Sequence, residues 1–449
     1  MFDPVAYINE PRWRSMSLGL ERIEELLAKL GNPQDALRFV HVAGTNGKGS
    51  TCSFISSILE ESGYKVGLFT SPYIELFEER IRINGENISL QRLSEVTLKV
   101  RDAAETMASH PTEFELMTAV AFTYFAEEKC DIVVAEVGLG GRLDSTNVIR
   151  TVEVCVFAPI SYDHCALLGN TLYQIAGEKA GILKTGIPAV SAPQEQETQR
   201  RLNEEADRCE TSIRYVDAAS IVGDTSDFSY GGFSHLCVQL QGSFQRTNAA
   251  VALEACRVLV QRGWSIDEQA MRSGLSRASW AGRFEFLRRS PDVLIDGAHN
   301  IHAVRALSSE LTSRYDRGSV VFCIGVMADK DYAEMLKLLV PLAKAFVCYR
   351  PDNPRALSES DLADAVQIAV GIHPVEVVAA STPRSAVEHA LEFSEGSLPI
   401  CFCGSLYGIA SIKKAWHHFE NARERTCAHL MIKAPAGWQR YCVGYTNHC

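Results

Sequence analysis

The run Phe39-Val40-His41-Val42-Ala43 leads directly into Gly44-Thr45-Asn46-Gly47-Lys48-Gly49-Ser50-Thr51. An apolar stretch of strand length ends here in a glycine-rich turn. Helical spacing follows from about Lys48 to Glu61 and stops at Gly63, which leaves little freedom in how this part of the chain is built. Lys65 to Phe69 then reads as a second strand. Strand, turn, helix and strand in this order form the parallel unit of α/β folds.

The alternation continues along the chain. Leu20, Ile23, Leu27 and Leu30 fall at helical spacing before Gly31, and helical patterns occupy about 90–107 and 113–128. Asp131 to Val137 is another apolar run, and it opens into Gly138-Leu139-Gly140-Gly141. In open parallel sheets, ligands sit where strand ends meet such loops. From about Ser212 to Leu240 the pattern is shorter and more polar, with Gly231-Gly232 as a turn, and it reads as a small β-rich extension. Strand-like runs then recur at 292–296, 319–326, 345–349, 375–378 and 399–403, separated by helix-length segments. The expected organisation is an N-terminal α/β domain over 1–287, a C-terminal α/β domain over 288–419, and a tail over 420–449 that has no sustained period.

Composition narrows the functional classes. A chain of 449 residues is long enough for two or three domains, and 22% charged with 46% hydrophobic residues is a folded, globular balance. The net charge of -11 provides no positive field to hold nucleic acid or an anionic membrane, so an anionic ligand must be met locally. The 14 cysteines are scattered and read as buried, reduced thiols; Cys401 and Cys403 are spaced for one face of a strand and not for a zinc knuckle. Met1 to Arg14 lacks a signal-peptide core, and no segment reaches the ~18 apolar residues of a membrane span. The expected compartment is cytoplasmic.

Several groups have residue types suited to chemistry. In the Gly44–Thr51 turn, glycines let backbone N–H groups face a phosphate, the helix start adds positive potential, and Lys48 supplies a point charge. The match to GxxxxGK[ST] is imperfect: Val42 stands at the first glycine position and Gly49 precedes the hydroxyl residues. Glu136 is the only charge in the apolar strand before the second glycine loop, which suits either a Mg²⁺ ligand or a structural ion pair. Asp163-His164 offers another ligand or base, or a structural pair. Lys179, in Glu178-Lys179-Ala180-Gly181-Ile182, reads from composition as a surface or ion-paired lysine. Arg283 and the turn Asp296-Gly297-Ala298-His299-Asn300 put charged and hydrogen-bonding groups near the domain joint.

Taken in order, GTNGKGS at 44–50, TSP at 70–72, FE at 114–115, EVGLGGRLDSTN at 136–147, DH at 163–164, EKAGI at 178–182, GRFE at 282–285 and DGAHN at 296–300 resemble the folylpolyglutamate synthase and dihydrofolate synthase family, the folate branch of the Mur ligases. The resemblance spans about Leu18 to Phe419. It implies an N-terminal P-loop ATPase domain and a C-terminal Rossmann-like domain that closes on nucleotide and glutamate. It further implies that Thr45, Asn46, Gly47, Lys48, Gly49 and Ser50 hold ATP, with Asn248, Arg283 and Asp296 as further nucleotide contacts. Ser71 and Glu136 would ligate one Mg²⁺ and His164 a second, while Lys179 aligns with a lysine that carries a carbamate. Thr112, Glu113, Phe114 and Glu115, with Leu143, Asp144 and Ser145, match segments lining the pterin site. The sequence departs from the usual pattern at Tyr73, where His is common, and at Ala281 and Ile301, where Pro is common.

The implied reaction is ATP-dependent addition of L-glutamate to a reduced folate, and to dihydropteroate, through an acyl phosphate. The chain would act as a monomer on small molecules, with no nucleic-acid or membrane partner. A small-molecule P-loop kinase and a non-catalytic nucleotide-dependent regulator would use the same turn. The folate-type blocks at 114–115 and 136–147 disfavour a cell-wall Mur ligase.

Overall fold

The computed structural model describes residues 2–10 and 19–433, with side chains as far as 421. The chain forms two compact units, one ending at Trp280 and the other beginning at Ala281.

The first unit is built on an eight-stranded sheet: β1 (Phe39–Ala43), β2 (Val66–Phe69), β3 (Ile81–Ile83), β4 (Glu86–Asn87), β5 (Ile132–Glu136), β6 (Val152–Phe157), β7 (Ala189–Ser191) and β8 (Ile213–Tyr215), in the order β4-β3-β2-β5-β1-β6-β7-β8. β2, β5, β1, β6, β7 and β8 run parallel, and β3 and β4 extend one edge antiparallel. Every residue of β1 and β5 is buried, as near-continuous apolar runs must be when helices cover both faces of a parallel sheet. On one face Phe54, Ile55 and Ile58 of the helix Lys48–Glu61 share a core with Val251 and Leu275 of two later helices. On the other face Phe122, from the helix Glu113–Glu127, packs edge-on to Phe39 at 5.2 Å and Phe69 at 6.2 Å. Truncating a ring so enclosed costs about 3–5 kcal/mol. The β-rich extension is a separate antiparallel sheet of β9 (Val222–Gly223), β10 (Phe228–Tyr230) and β11 (Phe233–Leu236), with Gly231 and Gly232 turning between the last two strands. Its predicted start at 212 also takes in β8, which belongs to the main sheet.

The second unit has its own six-stranded sheet: β12 (Glu285–Arg288), β13 (Val293–Ile295), β14 (Val320–Ile324), β15 (Ala343–Tyr349), β16 (Glu376–Ala380) and β17 (Ile400–Cys403), ordered β12-β13-β17-β14-β15-β16. All neighbours are parallel except β12, which pairs antiparallel with β13. That pairing draws residues 281–287 into the second unit, so the division falls earlier than the expected 287/288. The five runs predicted as strands in this region are β13 to β17.

Two further expectations change. The tail set apart at 420 begins inside a helix, Ile409–Lys433, which meets no Gly or Pro before Pro435; the rest of the tail, 434–449, lies outside the described residues. Ala, Glu, Arg, Leu and Met are good helix formers, so propensity alone favours a helix there. The described cysteines are all free thiols and most are buried, but Cys237 is exposed, and Cys165 and Cys209 are half-buried. No described helix is long and apolar enough to cross a membrane.

Candidate active site

The turn after β1 is shaped by two glycines. Gly44 has φ 151° and lies so close to β6 that a Cβ would stand 2.7 Å from the Cβ of Ala158. Gly47 caps the helix Lys48–Glu61 in the left-handed region at φ 82°, and a Cβ there would meet the Asn248 Oδ1 at 2.5 Å. The turn is pinned from β6: Thr45 and Asn46 donate their backbone N–H groups to the Pro159 carbonyl at 2.9 and 3.2 Å, and the Thr45 hydroxyl donates to the Ser161 carbonyl at 3.0 Å. With those groups fixed, the first turn of the helix directs its N–H groups out of the helix start, where an anion is favoured.

Charged side chains gather at this turn. Lys48 lies half-buried, with its Nζ 3.8 Å from Glu136 Oε1 at the end of β5 and donating to the Thr45 carbonyl at 3.4 Å. Glu136 Oε2 accepts the backbone N–H of Ser71 at 3.1 Å. Lys179, only 5% exposed, comes from the far end of the helix Leu172–Ala180 and donates to the Gly44 carbonyl at 2.8 Å. Burial is the main cause that pushes the Lys179 ammonium down to about 7; Lys48 adds to this, while the charges of Asp163 and Asp144 oppose it. Asn248 donates to Gln245 at 2.9 Å, and Gln245 reaches the Ser50 hydroxyl at 3.4 Å, so the helix Phe244–Gln261 braces the turn from behind.

The second glycine loop is tied just as tightly. The buried Asp144 accepts the Leu139 N–H at 2.8 Å, the Thr146 N–H at 3.0 Å and the Thr146 hydroxyl at 2.6 Å. Burial raises the Asp144 carboxyl, and these donors counter it.

Two family models cover most of the chain: the Mur ligase middle domain over residues 42–256 and the Mur ligase glutamate ligase domain over 282–406. The dihydrofolate synthase/folylpolyglutamate synthase of Bacillus subtilis is 39% identical over 413 residues, with 88% of this chain and 94% of that protein covered. The chain belongs to the folylpolyglutamate synthase and dihydrofolate synthase family. Solved structures of that family agree. The Mycobacterium tuberculosis folylpolyglutamate synthase complexed with ADP and AMPPCP superposes with a TM-score of 0.82 at 30% identity, covering 88% of this chain and 95% of that one. Escherichia coli FolC in complex with DHPP and ADP gives 0.82 at 29%, covering 93% and 97%.

Of the residues that the likeness to this synthase family singles out, the structure gathers Thr45 to Ser50, Ser71, Glu136, Lys179 and Asn248 around one turn. His164 opens the short helix Cys165–Leu168 at φ 51°, with its ring 3.9 Å from the Asp163 carboxylate. Thr112 and Glu115 form a capping box at the start of the helix Glu113–Glu127, and Glu115 also receives Arg22 at 3.0 and 3.1 Å. Their polar groups therefore hold the helix start, while the Phe114 ring lies so close to Gly138 that a Cβ there would meet it at 2.5 Å. Glu113 pairs with Arg80 at 3.8 Å. Leu143 is 40% exposed and Ser145 is buried. In the second unit, Asp296 accepts the N–H groups of Phe284 and Ala298 at 2.8 and 2.7 Å; burial raises its carboxyl, and Arg283 is the first cause opposing that rise. Sequence reasoning missed His41, Thr146, Arg22, Gln245 and Trp280, whose indole covers Gly49. The one available signal was His41, a lone polar residue in an apolar strand, which when buried calls for a partner.

Proposed function

We propose that the chain is an ATP-dependent, ADP-forming ligase that joins L-glutamate to the carboxyl group of a reduced folate, and likewise to dihydropteroate. The observation that carries this reading is the meeting of Lys48, Glu136 and Lys179 at the Gly44–Ser50 turn. A carboxylate is a poor acyl donor. Its oxygen attacks the γ-phosphorus of ATP, the bond to the β–γ bridging oxygen breaks, and ADP leaves an acyl phosphate. The glutamate amine then attacks the acyl carbon, the C–O bond to phosphate breaks, and phosphate departs with the electron pair as the amine loses a proton. Lys48 and the N–H groups at the helix start face the charge that builds on the transferring group, which is positioning and electrostatics without a side-chain nucleophile.

Mg²⁺ commonly takes one or two protein ligands and fills the remaining positions with phosphate and water. Glu136 and the Ser71 hydroxyl are hard oxygen donors that fit this, the carboxylate being buried with an N–H group and an ammonium already facing it. His164 is proposed for a second ion. When bound, Mg²⁺ neutralises phosphate charge. Burial that brings the Lys179 ammonium down to about 7 leaves part of it as the neutral amine, one proton having been lost. That amine can attack CO₂, an N–C bond forming as one C=O π bond opens to a carboxylate and a second proton leaves, so that the cation becomes a carbamate anion. Asn248, Arg283 and Asp296 are proposed as nucleotide contacts. Thr112 to Glu115 and Leu143 to Ser145 are proposed as the pterin-lining segments, and the chain as a cytoplasmic monomer.

The test is incubation with ATP, Mg²⁺ and labelled glutamate, with tetrahydrofolate in one arm and dihydropteroate in the other. Label should enter both products with stoichiometric phosphate release. A phosphorylated product without glutamate would mean a kinase, and ATP binding without phosphate release a regulator. Extension of tetrahydrofolate alone would remove the dihydropteroate activity.

A further inference from the structure

His41 lies fully buried in β1, the central strand whose end carries the Gly44 turn. Its Nε2 is 2.8 Å from the Thr146 hydroxyl oxygen, which is 2.6 Å from Asp144 Oδ1. Thr146 has one hydroxyl hydrogen, and the carboxylate takes it, so the hydroxyl oxygen must accept from His41 Nε2–H. The tautomer follows: the proton is on Nε2, and Nδ1 keeps a lone pair that is buried with no hydrogen-bond partner among the described residues. An unsatisfied buried nitrogen costs stability, and an apolar side chain in this apolar strand would remove that cost. What His41 supplies that an apolar residue lacks is the donor to Thr146.

We infer that His41 is a positioning residue for the folate substrate: through Thr146 and Asp144 it fixes the loop carrying Leu143 at a set distance from the phosphate-facing turn. This rests on the proposed assignment of Leu143, Asp144 and Ser145 to the pterin site. The chain of contacts is continuous. Asp144 also holds the Leu139 N–H of the second glycine loop, and from His41 the end of β1 leads directly into Gly44, whose carbonyl receives Lys179. Burial, with a lesser push from Lys184, lowers the His41 imidazolium to about 3, so the neutral tautomer persists at working pH. The acceptor carboxylate must meet the γ-phosphate at attack distance, and a displacement of about 1 Å between two such loops costs up to ~10²-fold in rate.

Four single variants test this in the full chain. His41→Leu and Thr146→Val break the relay, while His41→Gln keeps an N–H donor near the Nε2 position and Thr146→Ser keeps the hydroxyl. We expect His41→Leu and Thr146→Val each to lower kcat/KM for tetrahydrofolate about tenfold or more, through kcat as well as KM, with the Kd for ATP within about twofold of the parent. The double variant should be no worse than either single one, and the Gln and Ser variants should stay within about threefold. If His41→Leu does not fold, Thr146→Val decides. A folded Thr146→Val with unchanged kcat/KM for folate, an equal loss in ATP affinity, or additive losses in the double variant would each overturn the inference. Leu143→Ala separates it from the reading beneath: a normal folate KM there removes the pterin assignment and this inference with it. A raised KM in Leu143→Ala beside normal relay variants overturns the inference alone.

Discussion

Lys48 and Lys179 stand at one turn, and burial treats them differently. Lys48 is half-buried beside Glu136, whereas Lys179 is enclosed and donates to the Gly44 carbonyl. Lys48→Ala removes the charge proposed to face the phosphates and leaves the glycine turn; ATP turnover should fall by at least ~10²-fold with the circular dichroism unchanged. Near-normal turnover would sink the ATP assignment. Lys179→Ala should lose most activity and recover part of it with an added small carboxylate such as acetate, read as phosphate release. Lys179 also implies a pH effect on stability. Between about 7 and the ordinary lysine range the unfolded chain binds a proton that the folded chain lacks, so this residue makes stability rise with pH across that window. In CO₂-free buffer, Lys179→Met should be more stable than the parent near pH 7 by on the order of 4 kcal/mol, and the gap should close toward pH 10. Urea midpoints at the two pH values measure it, and a constant gap would refute it.

The helix Lys48–Glu61 could be read from the sequence to its end residues, because a left-handed glycine cap and an apolar spacing are both local signals. Its surroundings could not. At Gly49 a Cβ would lie 2.8 Å from the Trp280 indole, a contact between residues far apart in sequence that no spacing encodes. Gly49→Ala should therefore cost about 1–3 kcal/mol and weaken ATP binding; adding Trp280→Leu should return part of the loss. Thermal melts and ATP titrations of the two singles and the double provide the cycle, and strict additivity would exclude the contact as the cause. The same limit explains the site. The Gly44 turn, Glu136 and Lys179 could be found by motif, since each sits at a strand or helix end beside glycines. Glu115 was singled out by the family resemblance alone, and the partner of its carboxylate, Arg22, could not be, because only the packing of the helix Glu21–Lys29 supplies it. His41 was legible as buried, and its use was not, because Thr146 comes from a different loop.

At the scale of the molecule, a net charge of -11 surrounds a site that the proposed reaction loads with ever more anionic substrates. Each added glutamate contributes one more negative charge, so long-range repulsion should grow with product length. At about 0.01 M salt, where charges act over ~30 Å, KM should climb from mono- to polyglutamylated folates; near 1 M, where the reach is ~3 Å, the climb should flatten. Salt-independent KM ratios would show that local contacts alone set the preference. The Trp280 ring has a further use. It closes the first unit, rests on the helix Lys48–Glu61 at Gly49, and has the Arg82 guanidinium 5.4 Å from its centre. Indole emission shifts in colour and yield with the charge and packing around it. The chain thus carries its own lamp at the turn proposed to hold ATP, and comparing the emission of the parent with that of Trp280→Leu in ATP titrations, among the five tryptophans of the sequence, isolates this one with no label attached.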